Sequence, residues 1–62
     1  MLYLSRLMID NQQLVSFDDL LEVVKEAAAN GERFLRFDVK PPYPDTPENW
    51  EDRIESAFSG RL

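Results

Sequence analysis

The sequence predicts an α+β fold: one small domain over residues 1–62, with a three-stranded sheet and two helices in the order β-β-α-β-α. Three observations predict it. Apolar residues recur at helical spacing over 17–30 and 47–59, and each stretch is bounded by residues that start and stop helices. The apolar runs at 2–9 and 32–39 are short and read as strands. Asp10-Asn11 and Asn30-Gly31 punctuate the chain where its direction must change.

The first run holds Tyr3, Leu4, Leu7, Met8 and Ile9, and Leu14 and Val15 follow in Gln12–Ser16. Asp10 and Asn11 both tolerate positive φ, so a two-residue loop folds Tyr3–Ile9 back on Gln12–Ser16 as a hairpin. Pairing Ile9 with Gln12 sets Leu7 opposite Leu14 and Arg6 opposite Val15. The rival reading is one strand followed by a loose loop. In the hairpin, Leu2, Leu4, Met8 and Val15 share one face, and Tyr3, Leu7, Ile9 and Leu14 share the other. Both faces are apolar and need a cover.

Ser16 stands before Phe17-Asp18-Asp19, where its hydroxyl can accept an orphan N–H and the two acids meet the positive end of the helix dipole. Phe17, Leu20, Leu21, Val24, Ala27 and Ala28 form the apolar face of this helix, and Asn30-Gly31 stops it. Over 32–39, Leu35, Phe37 and Val39 alternate with Arg36 and Asp38, and Phe34 adds an aromatic to the polar side. The helix between the second and third strands makes those two strands parallel, with a right-handed crossover if they are adjacent, and the strand order stays open. Residues 40–45 carry three prolines and form an extended connector. Thr46 caps a last helix with Pro47 at its first position and Trp50, Ile54, Ala57 and Phe58 on its inner face. Trp50 and Phe58 are expected in the core, with Tyr43 packed beside Trp50.

Composition narrows the function. There is no histidine and no cysteine, so the usual acid–base group, the thiol nucleophile, disulfides and a structural zinc site are excluded. The two glycines do not make a phosphate loop. The serines have no activating partner in sequence, and only carboxylates such as Asp38 are left as nominal general bases. The chain therefore reads as a binding protein rather than an enzyme, with no cofactor and no metal. The apolar start lacks the basic opening and cleavage site of a signal peptide, no run is long enough to span a bilayer, and a cytoplasmic setting is expected.

Twelve acidic residues face seven basic ones, a net charge of −5. That sign opposes direct binding to nucleic acid or an anionic membrane, and it favours a basic protein surface as partner. Glu48, Glu51, Asp52 and Glu55 follow i, i+3, i+4, i+7 spacing along the last helix, and Asp18, Asp19, Glu22 and Glu26 form a second group on the first. Like charges so spaced repel by about 0.2–0.5 kcal/mol per pair. The helix dipole offsets this for Glu48 and Glu51 but not for Glu55. Four residues of helix rise about 6 Å, which is of the order of the phosphate spacing along a nucleic-acid strand. Two such rows can occupy a basic groove that normally holds nucleic acid. The alternatives are two ordinary solvated helix faces, or a homodimer or structural module that uses an apolar sheet face. Pro41 to Pro44 also spells a P-x-x-P pattern around Tyr43, although the same residues must join a strand to a helix.

In general type, carried by Phe17-Asp18-Asp19-Leu20-Leu21-Glu22 and Glu48-Asn49-Trp50-Glu51-Asp52, the chain resembles small acidic phage-encoded inhibitors of the anti-CRISPR and DNA-mimic kind. The resemblance implies a non-enzymatic, stoichiometric inhibitor that binds a nucleic-acid-processing complex. It assigns a role to no individual residue.

Overall fold

Among the described residues, three helices and a two-stranded parallel sheet make up the fold, and the three-stranded sheet with two helices is overturned. The computed structural model describes residues 2–60. In chain order the elements are β1 (Leu2–Tyr3), α1 (Leu4–Asp10), α2 (Phe17–Ala29), β2 (Leu35–Arg36) and α3 (Trp50–Ser59). Strands β1 and β2 pair in parallel, with Leu2 opposite Leu35 and Tyr3 opposite Arg36, and the Leu2 N–H donates to the Phe34 carbonyl at 2.9 Å.

The hairpin fails because Leu4, Leu7 and Met8 also stand at i, i+3, i+4. A short apolar run without strict alternation fits either a strand or a buried helix. Burial decides between them: Leu4 and Leu7, on opposite faces of a strand but on one face of a helix, are 0 % and 7 % exposed. A seven-residue helix is marginal by itself, and two side chains from outside it, one distant and one adjacent, fix this one. Tyr3 supplies no side-chain cap and the first turn carries no acid. Asp38 fills the gap from beyond β2. Its carboxylate accepts the Ser5 N–H at 3.0 Å, and Ser5 Oγ donates to its second oxygen. At the other end, Asn11 Nδ2 donates to the Leu7 carbonyl at 2.8 Å.

The Ser5 hydroxyl and then the Ser5 N–H hold the Asp38 carboxyl below the usual aspartate range. A lowered folded-state pKa stabilises the protein above the unfolded value of about 4, and this contribution disappears as pH falls through the folded value. Thermal melts of wild type and Asp38→Asn should therefore differ at neutral pH and converge in acid. A constant difference down to pH 2 would rule out the capping role.

Helix α2 lies where its sequence places it, within one residue. Ser16 Oγ accepts the Asp19 N–H at 3.1 Å. At the far end the Gly31 N–H donates to Ala28 O and the Glu32 N–H to Ala27 O, the paired bonds of a Schellman stop, with Gly31 at φ +104°. A further cap comes from outside the helix: Asp45 accepts the Phe17 N–H at 2.7 Å. Asp45→Ala should cost about 1 kcal/mol, the usual worth of an N-terminal cap, as a shift in the urea midpoint. No shift would mean that solvent satisfies this N–H equally well.

Helix α3 starts at Trp50 rather than Pro47, and its cap is Asn49 without a side-chain bond. Thr46 was the expected cap. Its Oγ1 donates instead to the Pro41 carbonyl at 3.3 Å, and its N–H to Tyr43 O, closing the connector on itself. Pro41 is buried and Tyr43 half-buried, so the connector packs on the rest of the fold, while Pro42 and Pro44 are exposed. The strand expected over 32–39 shortens to two residues because β1 offers only two to pair with.

The core draws on all three helices: Leu4 and Leu7 from α1, Phe17, Leu20 and Val24 from α2, and Ile54 from α3. Trp50 and Phe58, expected in the core, are half-buried at its edge, and Phe37 meets the Trp50 ring edge-on at 5.8 Å. Among the described residues no helix is long and apolar enough to cross a membrane.

Candidate partner-binding surface

Helix α3 separates its inner face cleanly from its outer one. Trp50, Ile54, Ala57 and Phe58 face the core, and Glu51, Asp52 and Glu55 are exposed. At about 100° per residue, these three carboxylates fall within an arc of about 100°, with Glu51 and Glu55 roughly 40° apart. Arg53 projects from the opposite flank. Among the described residues the ion pairs are Arg6–Asp10 at 3.1 Å and Lys25–Glu22 at 3.4 Å, and neither involves an acid of α3. The late start of the helix changes the setting of each group. Glu51 and Asp52 stand in the first turn, where the dipole favours them. Glu55 is a full turn further on and has no such compensation. Glu48 is exposed but lies in the turn before the helix, so helical geometry does not align it with the other three.

The second group is less uniform. Asp18, Glu22 and Glu26 are exposed along one side of α2, but Glu22 is paired with Lys25. Asp19 is half-buried and belongs to the architecture: its Oδ2 accepts the Val15 N–H at 3.3 Å. Burial chiefly, and secondarily the Asp19 charge, push the Tyr43 hydroxyl pKa upward. The eight candidate carboxylates therefore divide into one open trio, a flanking Glu48, and a partly neutralised row on another helix.

The two rows do not meet across the space between the helices. Leu21, Ala28, Ala57 and Phe58 line the groove there, Lys25, Arg33 and Arg53 add positive charge, and Glu55 is the only one of the eight candidates on its wall. An adjoining groove runs along β2, bounded by Arg33 to Phe37 on one side and by Glu55 and Phe58 on the other. This second groove was not nominated from sequence. Its signal was present in the interleaved cations and aromatics of Arg33-Phe34-Leu35-Arg36-Phe37. Asp38, a nominal general base, is committed to Ser5 and to the start of α1. Apolar side chains are exposed elsewhere, with Ile9 at 60 % and Val15 at 75 %. They do not form the continuous sheet face expected of a hairpin.

Comparison with family models, curated proteins and solved structures yields no match to this chain.

Proposed function

We propose that the chain is a non-catalytic binding protein that presents the carboxylates of α3 to a basic protein surface. The observation that carries this reading is the arc of Glu51, Asp52 and Glu55, exposed and without an ion-pair partner among the described residues. Carboxylates gathered on one face of a helix attract a lysine- or arginine-rich surface, and the attraction weakens with salt. Glu48 extends the patch, and Asp18, Glu22 and Glu26 supply a weaker second contact. In the fullest form of the proposal the partner surface is one that holds nucleic acid in the cytoplasm, and the chain acts as a stoichiometric, anti-CRISPR-type inhibitor that excludes the nucleic acid by mimicry.

The experiment is a calorimetric titration with a ten-residue lysine peptide over a range of salt, comparing wild type with Glu51→Lys/Glu55→Lys. Binding that falls with salt and is lost in the variant is expected. Equal binding by both proteins, or a flat salt response, would overturn the proposal.

Self-association is the second reading. Exposed Tyr3 and Ile9 flank a groove with Leu2, Ser5, Arg6 and Asp38, and a second copy can cover them. Leu4 is unsuited as a probe of this surface, because it is fully buried. Ile9→Lys leaves the core untouched and should abolish any dimer seen by light scattering. A wild-type monomer at high concentration removes this reading.

A further inference from the structure

We propose that Asn30 is a site of spontaneous chemical modification: it loses its side-chain amide to become aspartate or isoaspartate, and the stop at the end of α2 sets the rate. The reaction needs an asparagine followed by a residue whose backbone nitrogen can reach the asparagine side chain. Gly31 has no Cβ to obstruct that approach, and no heavy atom lies within 4 Å of where a Cβ would stand. Asn30 and Gly31 are both exposed. Among the described residues the Asn30 side chain makes no hydrogen bond. The other asparagines differ. Asn11 has its amide engaged at both atoms, by the Leu7 carbonyl and by Gln13. Asn49 is followed by Trp50, whose side chain hinders attack by its own nitrogen.

Water and hydroxide are the only co-reactants. The Gly31 nitrogen gives up its proton to hydroxide and attacks Asn30 Cγ. The N–Cγ bond forms, the side-chain amide nitrogen takes a proton from water and leaves as ammonia, and a succinimide ring closes. Water then opens the ring. Opening at Cγ gives aspartate, and opening at the Asn30 backbone carbonyl gives isoaspartate, whose main chain runs through Cβ and Cγ and is one methylene longer. The net change consumes one water and releases one ammonia.

The folded cap opposes the first step twice. The Gly31 N–H is committed to Ala28 O at 3.1 Å, backed by the Glu32 N–H on Ala27 O at 3.2 Å. Asn30 also stands at ψ 4°, which turns the Gly31 nitrogen far from the Asn30 Cβ, whereas the ring needs those two atoms eclipsed. Attack therefore waits for the last turn of α2 to open. Val24 is the last fully buried residue of that helix, so the turn can open without exposing the core, and such local openings cost much less than global unfolding. The product does not close as before. A carboxylate now stands at the negative end of the helix dipole, and the extra methylene of isoaspartate shifts Gly31 away from the Ala28 carbonyl. The modification is a one-way loosening of the link between α2 and β2.

The test is incubation of the whole chain in mildly alkaline buffer, sampled over weeks by peptide mass mapping that resolves isoaspartate. Aspartate and isoaspartate are expected at residue 30, with Asn11 and Asn49 unchanged. The same chain unfolded in guanidinium chloride should react at Asn30 roughly tenfold or more faster, because the gate is then always open. Ala29→Gly weakens the last turn and leaves the Asn-Gly pair intact. It should react severalfold faster than wild type in buffer and at the wild-type rate in guanidinium. Absence of product at residue 30 in buffer over months, or product first at Asn11 or Asn49, would overturn the site. Equal rates in buffer and guanidinium, or an Ala29→Gly rate in buffer no faster than wild type, would overturn the gate.

Discussion

Ile54→Ala is expected to remove about 2–5 kcal/mol of stability, the usual cost of truncating a fully buried isoleucine. A 62-residue domain holds roughly 3–9 kcal/mol in all on per-residue scaling, so this one change removes a large fraction of the total. The site justifies the upper part of the range. Ile54 is 0 % exposed and is the only buried residue of α3. It reaches the cluster formed by Leu4, Phe17, Leu20 and Val24, so its loss opens a cavity at the junction of all three helices. No disulfide compensates, because there is no cysteine. Urea unfolding followed by circular dichroism should show the midpoint lowered by roughly half. Ile9→Ala, at 60 % exposure, should stay within about 0.5 kcal/mol of wild type. A loss under 1 kcal/mol for Ile54→Ala would mean that α3 is not held by the core in the way described.

The second large effect is on binding. Glu51→Lys/Glu55→Lys converts two attractions into two repulsions on the most exposed part of α3. Exposed pairs are individually weak, but reversal counts each one twice and the two groups lie about 40° apart on the helix. A loss of roughly tenfold or more in affinity for a polybasic peptide is expected at low salt. Near 1 M salt, where the screening length is about 3 Å, the variant and wild type should converge. Glu55→Lys alone separates binding from helix stability. Glu51 occupies the first turn and favours the dipole, whereas Glu55 does not. If Glu55→Lys binds as wild type does while Glu51→Lys is weakened, the acids of α3 serve the helix rather than a partner.

Helix α2 was fully legible because its signals are local. Ser16, the apolar spacing from Phe17 to Ala28, and Asn30-Gly31 each act within a turn of the chain, and each appears in the structure in its expected role. Helix α1 was not legible, because the apolar run from Leu2 to Ile9 is too short for periodicity to separate a strand from a buried helix. What settles the matter is an aspartate thirty-three residues away that supplies the missing cap. The start of α3 was misplaced for a related reason. Thr46 and Pro47 carry strong start signals, but the hydroxyl and N–H of Thr46 are consumed within the connector. The composition of the acidic surface was legible and its partition was not. Helical spacing placed Glu51, Asp52 and Glu55 together, yet only the folded chain shows that Asp19 is drawn inward, that Glu22 is paired, and that Glu48 precedes the helix. The β2 groove needed coordinates, because one of its walls comes from each of two elements twenty residues apart.

Carboxylate chemical shifts, followed residue by residue by carbon-detected NMR while the ten-residue lysine peptide is added, give the sharpest view of where cations settle on this protein. The largest salt-sensitive changes are predicted at Glu51, Asp52 and Glu55, smaller ones at Asp18 and Glu26, and almost none at Asp19 and Asp38. Changes spread evenly over every surface acid, or strongest on α2, would show that α3 has no special claim on a basic partner.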